Sequence, residues 1–122
     1  MRVFKNGWFR RYARREGIPD SALMAAIVRA REGLIDADLG GGLIKQRIAR
    51  PGHGKSGGYR SVIVYREGDV AYFVFGFAKS SMDNLTADEL REFRKMANHL
   101  LALEVSQIDA LLRNGQMEEV KP

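Results

Sequence analysis

The chain has no cysteine, three prolines and a single tryptophan among its 122 residues. Without cysteine it has no disulfide framework, no thiolate zinc site and no cysteine nucleophile. No apolar run approaches the roughly 18 residues that a helix needs to cross a bilayer, and the first residues lack the apolar stretch of a secretory signal. These absences predict a cytoplasmic protein without a membrane partner. The length predicts one domain over residues 1–122, and no cofactor or metal is expected.

Carboxylates are missing from one long window of the chain. Of the 20 Lys and Arg residues, six lie between Leu39 and Arg66, whereas none of the 15 Asp and Glu residues does. These six cations are Lys45, Arg47, Arg50, Lys55, Arg60 and Arg66. A local field of one sign attracts polyanions, of which nucleic acid is the most common in a cell. The sequence therefore predicts RNA or DNA as a partner.

Hydrophobic periodicity predicts a helical hairpin followed by strands. Trp8, Phe9 and Tyr12 recur at helical spacing and are interpreted as core residues of a helix over about 8–16. A second helix starts at Asp20 or Ser21 and ends at Gly33. The cations that precede Glu16 are interpreted as the solvated side of an amphipathic helix; they are Arg2, Lys5, Arg10, Arg11, Arg14 and Arg15. Alternation at period two predicts strands over 43–49, 59–66 and 70–78.

The second half of the chain predicts two more helices. Thr86-Ala-Asp-Glu89 fits a capping box at the start of a long helix. A short helix over about 105–113 stops at Gly115, and residues 116–120 either add an edge strand or lie free. The fold class is α+β: an antiparallel sheet of three to four strands packed by an N-terminal helical hairpin and a C-terminal helix. Residues 104–122 form a C-terminal extension of the same domain.

The cations of the basic window are expected to converge on one sheet face. Lys45 and Arg47 stand two residues apart on a strand, so both side chains leave the same face, roughly 6–7 Å apart. Arg60 and Arg66 share a face of the next strand. The glycine-rich loop brings Lys55 and His53 towards them, and Lys79 leaves the third strand near the same edge. Arginine offers a planar fork to phosphate.

The glycine-rich loop suggests two further functions, nucleotide binding and proton transfer by His53. Ala49 to Ser56 resembles the end of a phosphate-binding P-loop, but that motif needs a helix starting at Lys55-Ser56, and Gly57-Gly58 with a β-branched run follows instead. We therefore exclude an NTPase. His53 lies beside several cations, which favour its neutral form, so it is either a proton acceptor or an ordinary loop residue.

Three segments resemble the RelE/HigB-like toxins of bacterial type II toxin–antitoxin systems. They are Asp36-Ala-Asp-Leu-Gly-Gly-Gly-Leu-Ile-Lys-Gln-Arg-Ile-Ala-Arg-Pro-Gly-His-Gly-Lys-Ser-Gly-Gly-Tyr-Arg60, then Phe75-Gly-Phe-Ala-Lys79, then Asp83-Asn84-Leu85. The resemblance implies a small antiparallel sheet packed by helices on one side. It implies ribosome-dependent cleavage of mRNA without metal, through attack of a ribose 2′-OH on its own phosphate. The partners it implies are mRNA on the ribosome, a cognate antitoxin with a helix-turn-helix, and operator DNA contacted through that antitoxin.

The resemblance also suggests roles for individual residues. Lys45 or Lys55, with a pKa lowered by neighbouring cations, is the expected base. Arg47 and Arg60 bind the scissile phosphate, and Lys79 supports the leaving side. The expected RNA-binding residues are Arg50, His53, Tyr59 and Arg66. Some relatives carry an arginine and then a tyrosine after the Lys79 equivalent, where this chain has Ser80 and Leu85, so Tyr59 or His53 serves instead.

Two rival functions use the same scaffold. One is a non-cleaving member of the superfamily, either a DNA gyrase poison or an RNA binder. The other is a regulatory subunit whose basic face only contacts DNA together with its antitoxin. The cationic strand pair favours cleavage over both.

Overall fold

The structure is a computed structural model that describes residues 1–50, 58–78 and 85–122. It contains four helices and six strands within these ranges. In chain order they are β1 (Arg2–Asn6), α1 (Gly7–Glu16), α2 (Asp20–Arg31), β2 (Ala37–Gly40), β3 (Leu43–Ile48), β4 (Tyr59–Arg66), β5 (Val70–Ala78), α3 (Ala87–Leu101), α4 (Val105–Arg113) and β6 (Met117–Glu119). The predicted α+β class is confirmed, and the predicted helices and the three central strands are present.

The strands form one sheet in the order β2-β3-β4-β5-β1-β6. It is larger than the predicted sheet of three to four strands, because β1 and β2 were not expected. β1 runs parallel to β5, with Val3 opposite Ala71, and the other neighbouring strands are antiparallel. Both missed strands are short, and β1 is held between β5 and β6, which come much later in the chain. Local periodicity carries no signal for such pairing.

Each face of the sheet is covered by its own pair of helices. Alternate strand residues point to opposite faces, and two separate hydrophobic clusters result. α1 and α2 pack on one face, where Leu23 and Ile63 belong to the same cluster. α3 and α4 pack on the other, where Leu100 joins Val64. The expectation that all helices lie on one side is wrong, because both faces of the central strands are apolar and each needs cover.

Asn6 joins the start of α1 to the neighbouring strand β5. Its Oδ1 atom accepts a hydrogen bond from the backbone N–H of Phe9 at 2.8 Å, which caps the helix. Its Nδ2 atom donates to the carbonyl oxygen of Val74 at 3.2 Å. One side chain thus fixes where β1 ends, where α1 begins and where both lie against β5.

The capping box predicted at Thr86 is confirmed. Its hydroxyl accepts from the N–H of Glu89 at 3.1 Å, and the Glu89 carboxylate accepts from the N–H of Thr86 at 2.8 Å. The two alternatives for residues 116–120 are resolved in favour of a strand, since β6 pairs with β1. Within the described ranges, no helix is long and apolar enough to cross a membrane.

The sequence predicts that Arg2 and Lys5 lie on the solvated side of a helix. This prediction is wrong for both residues. Both are part of β1. The guanidinium of Arg2 donates two hydrogen bonds to Glu119, each 3.0 Å long. Lys5 is only 7% exposed, and its Nζ atom donates to Asp20 at 2.8 Å. The two ion pairs tie the C-terminal strand and the start of α2 to β1.

Candidate nucleic-acid interface

Arg47 and Arg60 form a directly opposed pair of cations near one end of the sheet. They are register partners on β3 and β4, so their Cβ atoms lie roughly 4.5–5.5 Å apart on the same face. Lys45 precedes Arg47 by two residues, shares its face and stands opposite Val62. We call Lys45, Arg47 and Arg60 the cationic cluster. The structure thus brings together three of the residues that the sequence predicted to converge.

The guanidinium of Arg60 carries a buried donor. Its Nη1 atom is shielded from solvent and has no hydrogen-bond partner among the residues that the structure describes. Buried donors in folded proteins are almost always paired, so an unsatisfied guanidinium donor at this position is consistent with a functional role. A non-bridging phosphate oxygen has the charge and the geometry that a guanidinium prefers.

The cluster works against the stability of the sheet. Neither Lys45 nor Arg60 takes part in an ion pair within residues 1–50, 58–78 and 85–122. Like charges directly opposite each other on neighbouring strands destabilise a sheet by roughly 0.2–1 kcal/mol. Local rules of this kind are broken most often at functional sites. The arrangement therefore favours a binding role over a structural one.

The backbone of Arg47 is fixed by neighbours on both sides. Its N–H donates to the Oδ2 atom of Asp36, and its carbonyl oxygen accepts from Arg29 Nη1 at 3.0 Å. Arg29 and Asp36 also approach each other to 3.7 Å. Gly58 leaves room for the side chain: a Cβ atom there would lie 2.8 Å from the carbonyl oxygen of Ile48 and 3.1 Å from Arg47 Nε. Any residue larger than glycine at position 58 would press on the backbone at Ile48 and shift the guanidinium of Arg47 by a few tenths of an ångström.

Gln46 is a supporting residue that sequence reasoning missed. It is fully buried, between the two cations of β3 in sequence but on the opposite face. Its Nε2 atom donates to the carbonyls of Ala26 and Leu34, both at 3.0 Å, and its Oε1 atom accepts from the N–H of Asp36 at 3.1 Å. The amide thus anchors β3 to α2 and to the segment that carries Asp36. The only sequence signal was a polar residue in the inward phase of an apolar strand.

Tyr59 and Arg60 are neighbours in sequence but face opposite sides of the sheet. Tyr59 is 3% exposed and packs with the α1–α2 cluster, and its hydroxyl donates to the carbonyl of Glu16 at 3.2 Å. The exposed Arg50 places its guanidinium 5.5 Å from the centre of the Tyr59 ring. A pocket of about 190 Å³ opens between Arg50 and the end of α1. The ring of Tyr59 therefore packs against the guanidinium of Arg50. It does not join the cationic cluster.

Of the remaining expected site residues, Arg66 is described by the structure and is not part of the cationic cluster. Arg66 lies on the same face of β4 as Arg60 but six residues further on, which is roughly 20 Å along the strand. Its guanidinium donates to Asp69 and to the carbonyl of Leu101, both at 3.0 Å. His53, Lys55 and Lys79 lie outside the described residues. Within the described part of the chain, no three His, Asp or Glu side chains are grouped so that they could hold a metal ion.

Comparison with known proteins agrees with the resemblance seen in the sequence. The family model described as "RelE toxin of RelE / RelB toxin-antitoxin system" matches residues 1–120, almost the entire chain. No curated protein matches the chain significantly.

Proposed function

The chain belongs to the RelE toxin family of toxin–antitoxin systems, and on that basis we propose that it is a metal-independent endoribonuclease which cleaves mRNA on the ribosome and stops translation. The observation that carries the proposal is the opposed pair Arg47 and Arg60 with Lys45 beside it. An activity on translating ribosomes requires a cytoplasmic protein. It also requires a partner that silences the toxin, and membership of the family implies a cognate antitoxin.

The proposed reaction is an internal transfer of a phosphoryl group. The 2′-oxygen of a ribose gives up its proton and attacks the adjacent phosphorus, and the bond to the 5′-oxygen of the next nucleotide breaks. The departing oxygen takes up a proton, which leaves a 2′,3′-cyclic phosphate and a 5′-hydroxyl. Negative charge builds up on the non-bridging oxygens in the transition state. Preorganised cations that face these oxygens lower the barrier.

Arg47 and Arg60 are suited to hold these oxygens. Their side chains leave opposed positions on two paired strands, and the Nη1 atom of Arg60 has no hydrogen-bond partner among the residues that the structure describes. Arg29, Asp36 and Gly58 fix the position of Arg47. We assign phosphate binding to the arginine pair, because a fork of donors matches a phosphate better than a point charge does.

The proton transfers are assigned to lysines. Lys45 or Lys55 takes the proton of the 2′-OH, and Lys79 supports the departing 5′-oxygen. His53 is an alternative for either transfer. Tyr59 is not proposed for this role, because its hydroxyl is already donated to Glu16 on the other face of the sheet. We also assign Arg50 to RNA binding, since it is exposed at the end of β3, three residues beyond Arg47.

We further propose that the antitoxin is a small helix-turn-helix protein with an acidic contact segment. Such a segment would neutralise the cationic face of the toxin. The complex would contact operator DNA through the antitoxin. The reading frame next to the gene tests this directly, since it should encode such a protein.

Primer extension on mRNA after brief induction tests the nuclease. We expect new 5′ ends within translated codons. Arg60→Ala and Lys45→Ala should each lower cleavage by roughly 100- to 1000-fold, the usual loss when one group that stabilises the transition state is removed. Arg91→Ala, on the exposed surface of α3, is the matched control and should cleave normally. DNA damage with intact mRNA would instead support a gyrase poison, and intact mRNA and DNA a regulatory subunit.

A further inference from the structure

The single tryptophan of the chain is partly exposed at the surface. Trp8 on α1 is 36% exposed, whereas the other aromatic residues of that helix, Phe9 and Tyr12, are buried as the sequence predicted. Scattered exposed apolar residues are common, but Trp8 is not isolated. Its ring stacks on Tyr12 at 5.2 Å with an interplanar angle of 18°, and it lies 4.6 Å from the ring of Phe75. These contacts fix the orientation of a partly exposed indole ring.

Trp8 packs beside Phe75 of β5 because β1, the neighbour of β5 in the sheet, ends before this position. β1 pairs with β5 only as far as Lys5 opposite Phe73, and Asn6 then turns the chain into α1. The Asn6 side chain donates to the carbonyl of Val74, so the first turn of the helix is tied to this edge of β5. The register between β4 and β5 shifts at the same point, since Ile63 faces Phe73 and Val62 faces Phe75. The extra residue is Val74, and bulges of this kind redirect the side chains beside them.

A continuous path of contacts leads from Trp8 to the cationic cluster. The rings of Phe75 and Phe77 are 6.0 Å apart. Phe77 is the register partner of Arg60, and Arg60 is the register partner of Arg47. We call Trp8, Phe75 and Phe77 the aromatic edge. Since neighbouring strands are roughly 4.8 Å apart, the aromatic edge begins one strand away from the site assigned to the scissile phosphate.

Two cations lie on the same side of α1 as Trp8, and one of them is paired with a carboxylate, since the Nε atom of Arg15 lies 3.5 Å from Glu16. Arg11 and Arg15 follow Trp8 at helical spacing of three and seven residues, which puts them on the same side of α1. The guanidinium of Arg15 lies 5.4 Å from the centre of the Tyr12 ring. An aromatic plane bordered by cations suits a ligand that is both flat and negatively charged. An unpaired nucleotide has both properties.

We propose that Trp8 stacks on an unpaired base of the RNA, next to the phosphate held by Arg47 and Arg60. The inference rests on the proposed function, whose substrate it describes more closely. Proteins bind single strands by combining a cationic track for the backbone with aromatic side chains for the bases. Because every base has a π-face, such a contact tolerates many sequences and sets the position of the strand. Trp8 would then position the RNA without taking part in the proton transfers.

Tryptophan fluorescence gives a direct test, since Trp8 is the only such fluorophore in the chain. The probe is a short single-stranded oligoribonucleotide with 2′-O-methyl groups, which cannot be cleaved. Its partner is an oligomer of the same length that is abasic throughout. Both carry a terminal fluorescein, so that affinity is measured separately by anisotropy at low salt. We expect the base-bearing oligomer to quench Trp8 and the abasic one to bind without quenching.

Three variants separate stacking from charge. Trp8→Leu keeps an apolar contact with Tyr12 and Phe75 but has no ring, so it should bind the base-bearing oligomer about 5- to 150-fold more weakly and the abasic one equally well. Trp8→Phe should lie between this variant and the unaltered protein. Arg60→Ala should weaken the binding of both oligomers by a similar factor. Circular dichroism and urea unfolding verify that each variant is folded.

The outcomes distinguish this inference from the function on which it rests. If Trp8→Leu binds the base-bearing oligomer normally while Arg60→Ala does not, the stacking is wrong and the RNA site stands. If neither oligomer binds the unaltered protein, the RNA site fails and the stacking fails with it. If Trp8 fluorescence responds to the antitoxin but not to the oligomer, the aromatic edge serves the protein partner and the inference is overturned.

Discussion

Arg47 on β3 faces Arg60 on β4 as its direct register partner, so two guanidinium groups are held on the same face of a rigid sheet. Like charges directly opposite each other on neighbouring strands repel. A phosphate between the two would reverse the sign of this interaction, because each cation would then meet an anion. Binding energy and folding energy are therefore opposed at this position, and that opposition can be measured.

Removing one charge of the pair should stabilise the protein. Arg60→Gln keeps most of the side-chain length, and we expect the free energy of unfolding to rise by roughly 0.2–1 kcal/mol in urea at low salt. Salt screens exposed charges, so the gain should shrink as ionic strength rises. Arg66→Gln is the control, because Arg66 pairs with Asp69 and its loss should not stabilise. Equal destabilisation of both variants at every salt concentration would show that Arg60 has a structural role.

Gly58 should be required for the position of Arg47. A Cβ atom at this site would lie 2.8 Å from the Ile48 carbonyl and 3.1 Å from Arg47 Nε, so we expect Gly58→Ala to destabilise by about 1–3 kcal/mol. It should also lower RNA cleavage per folded molecule, which is the specific part of the prediction. Gly68→Ala is a matched control: φ is +76° there but no atom lies within 4 Å of the added Cβ. That variant should lose stability and keep its cleavage rate.

Gln46 should contribute to stability through its hydrogen bonds. Gln46→Leu has a similar volume but leaves the carbonyls of Ala26 and Leu34 and the N–H of Asp36 without their partner. A buried polar group that loses its partner costs about 1–3 kcal/mol, and of these three residues only Ala26 is buried, whereas Leu34 and Asp36 are exposed. We expect a net loss of about 1–3 kcal/mol in urea unfolding.

Gln116→Leu is the control for that substitution, since Gln116 is exposed and its backbone N–H, which donates to Asn114 Oδ1 and to the Leu111 carbonyl, is kept in the variant. Its unfolding free energy should change by less than about 0.5 kcal/mol. If Gln46→Leu unfolds at the same urea concentration as the unaltered protein, the buried amide contributes no net stability.

Features that depend on neighbouring residues in sequence could be predicted. The three central strands alternate apolar and polar residues or are rich in β-branched residues, and the capping box at Thr86 is a four-residue pattern. The strands and the box are therefore present where the sequence predicts them. The opposition of Arg47 and Arg60 followed from pairing two such strands. β1 could not be predicted, because its five residues gain their strand geometry from β5 and β6, which are distant in sequence.

Distances along a strand and tertiary partners could not be predicted from the sequence. Arg60 and Arg66 lie on the same face of β4 but near opposite ends of the strand, and Arg66 donates to Asp69 and to the Leu101 carbonyl. The period of a strand places Tyr59 on the opposite face from Arg60. The hydrogen bond from its hydroxyl to the Glu16 carbonyl on α1 depends on the tertiary fold. The bond of Asn6 to Val74 and the bonds of Gln46 depend on partners at least 10 residues away, which no local pattern contains.

The ion pairs around β1 should make stability depend on pH. Burial raises the pKa of Asp20, but hydrogen bonds from Lys5 Nζ and the Lys121 N–H outweigh it and leave the pKa below its ordinary value. The hydrogen bond from Arg2 lowers the pKa of Glu119 in the same way. A carboxyl whose pKa is lower in the folded state stabilises the protein above its unfolded pKa, which is roughly 4. That stability is lost as the pH falls through the folded pKa.

We therefore expect the urea midpoint to fall between about pH 5 and pH 2, and Asp20→Asn tests the source of this fall. The variant cannot carry the charge that pairs with Lys5, which is 7% exposed, so it should be less stable than the unaltered protein at pH 7. As the pH falls, Asp20 becomes protonated and the two proteins should converge. Asp88→Asn is the control, because Asp88 pairs with Arg91 on the exposed surface of α3, where ion pairs contribute little. A stability difference between Asp20→Asn and the unaltered protein that stays constant from pH 7 to pH 2 would mean that packing, and not the charge of Asp20, holds β1 and β6 together.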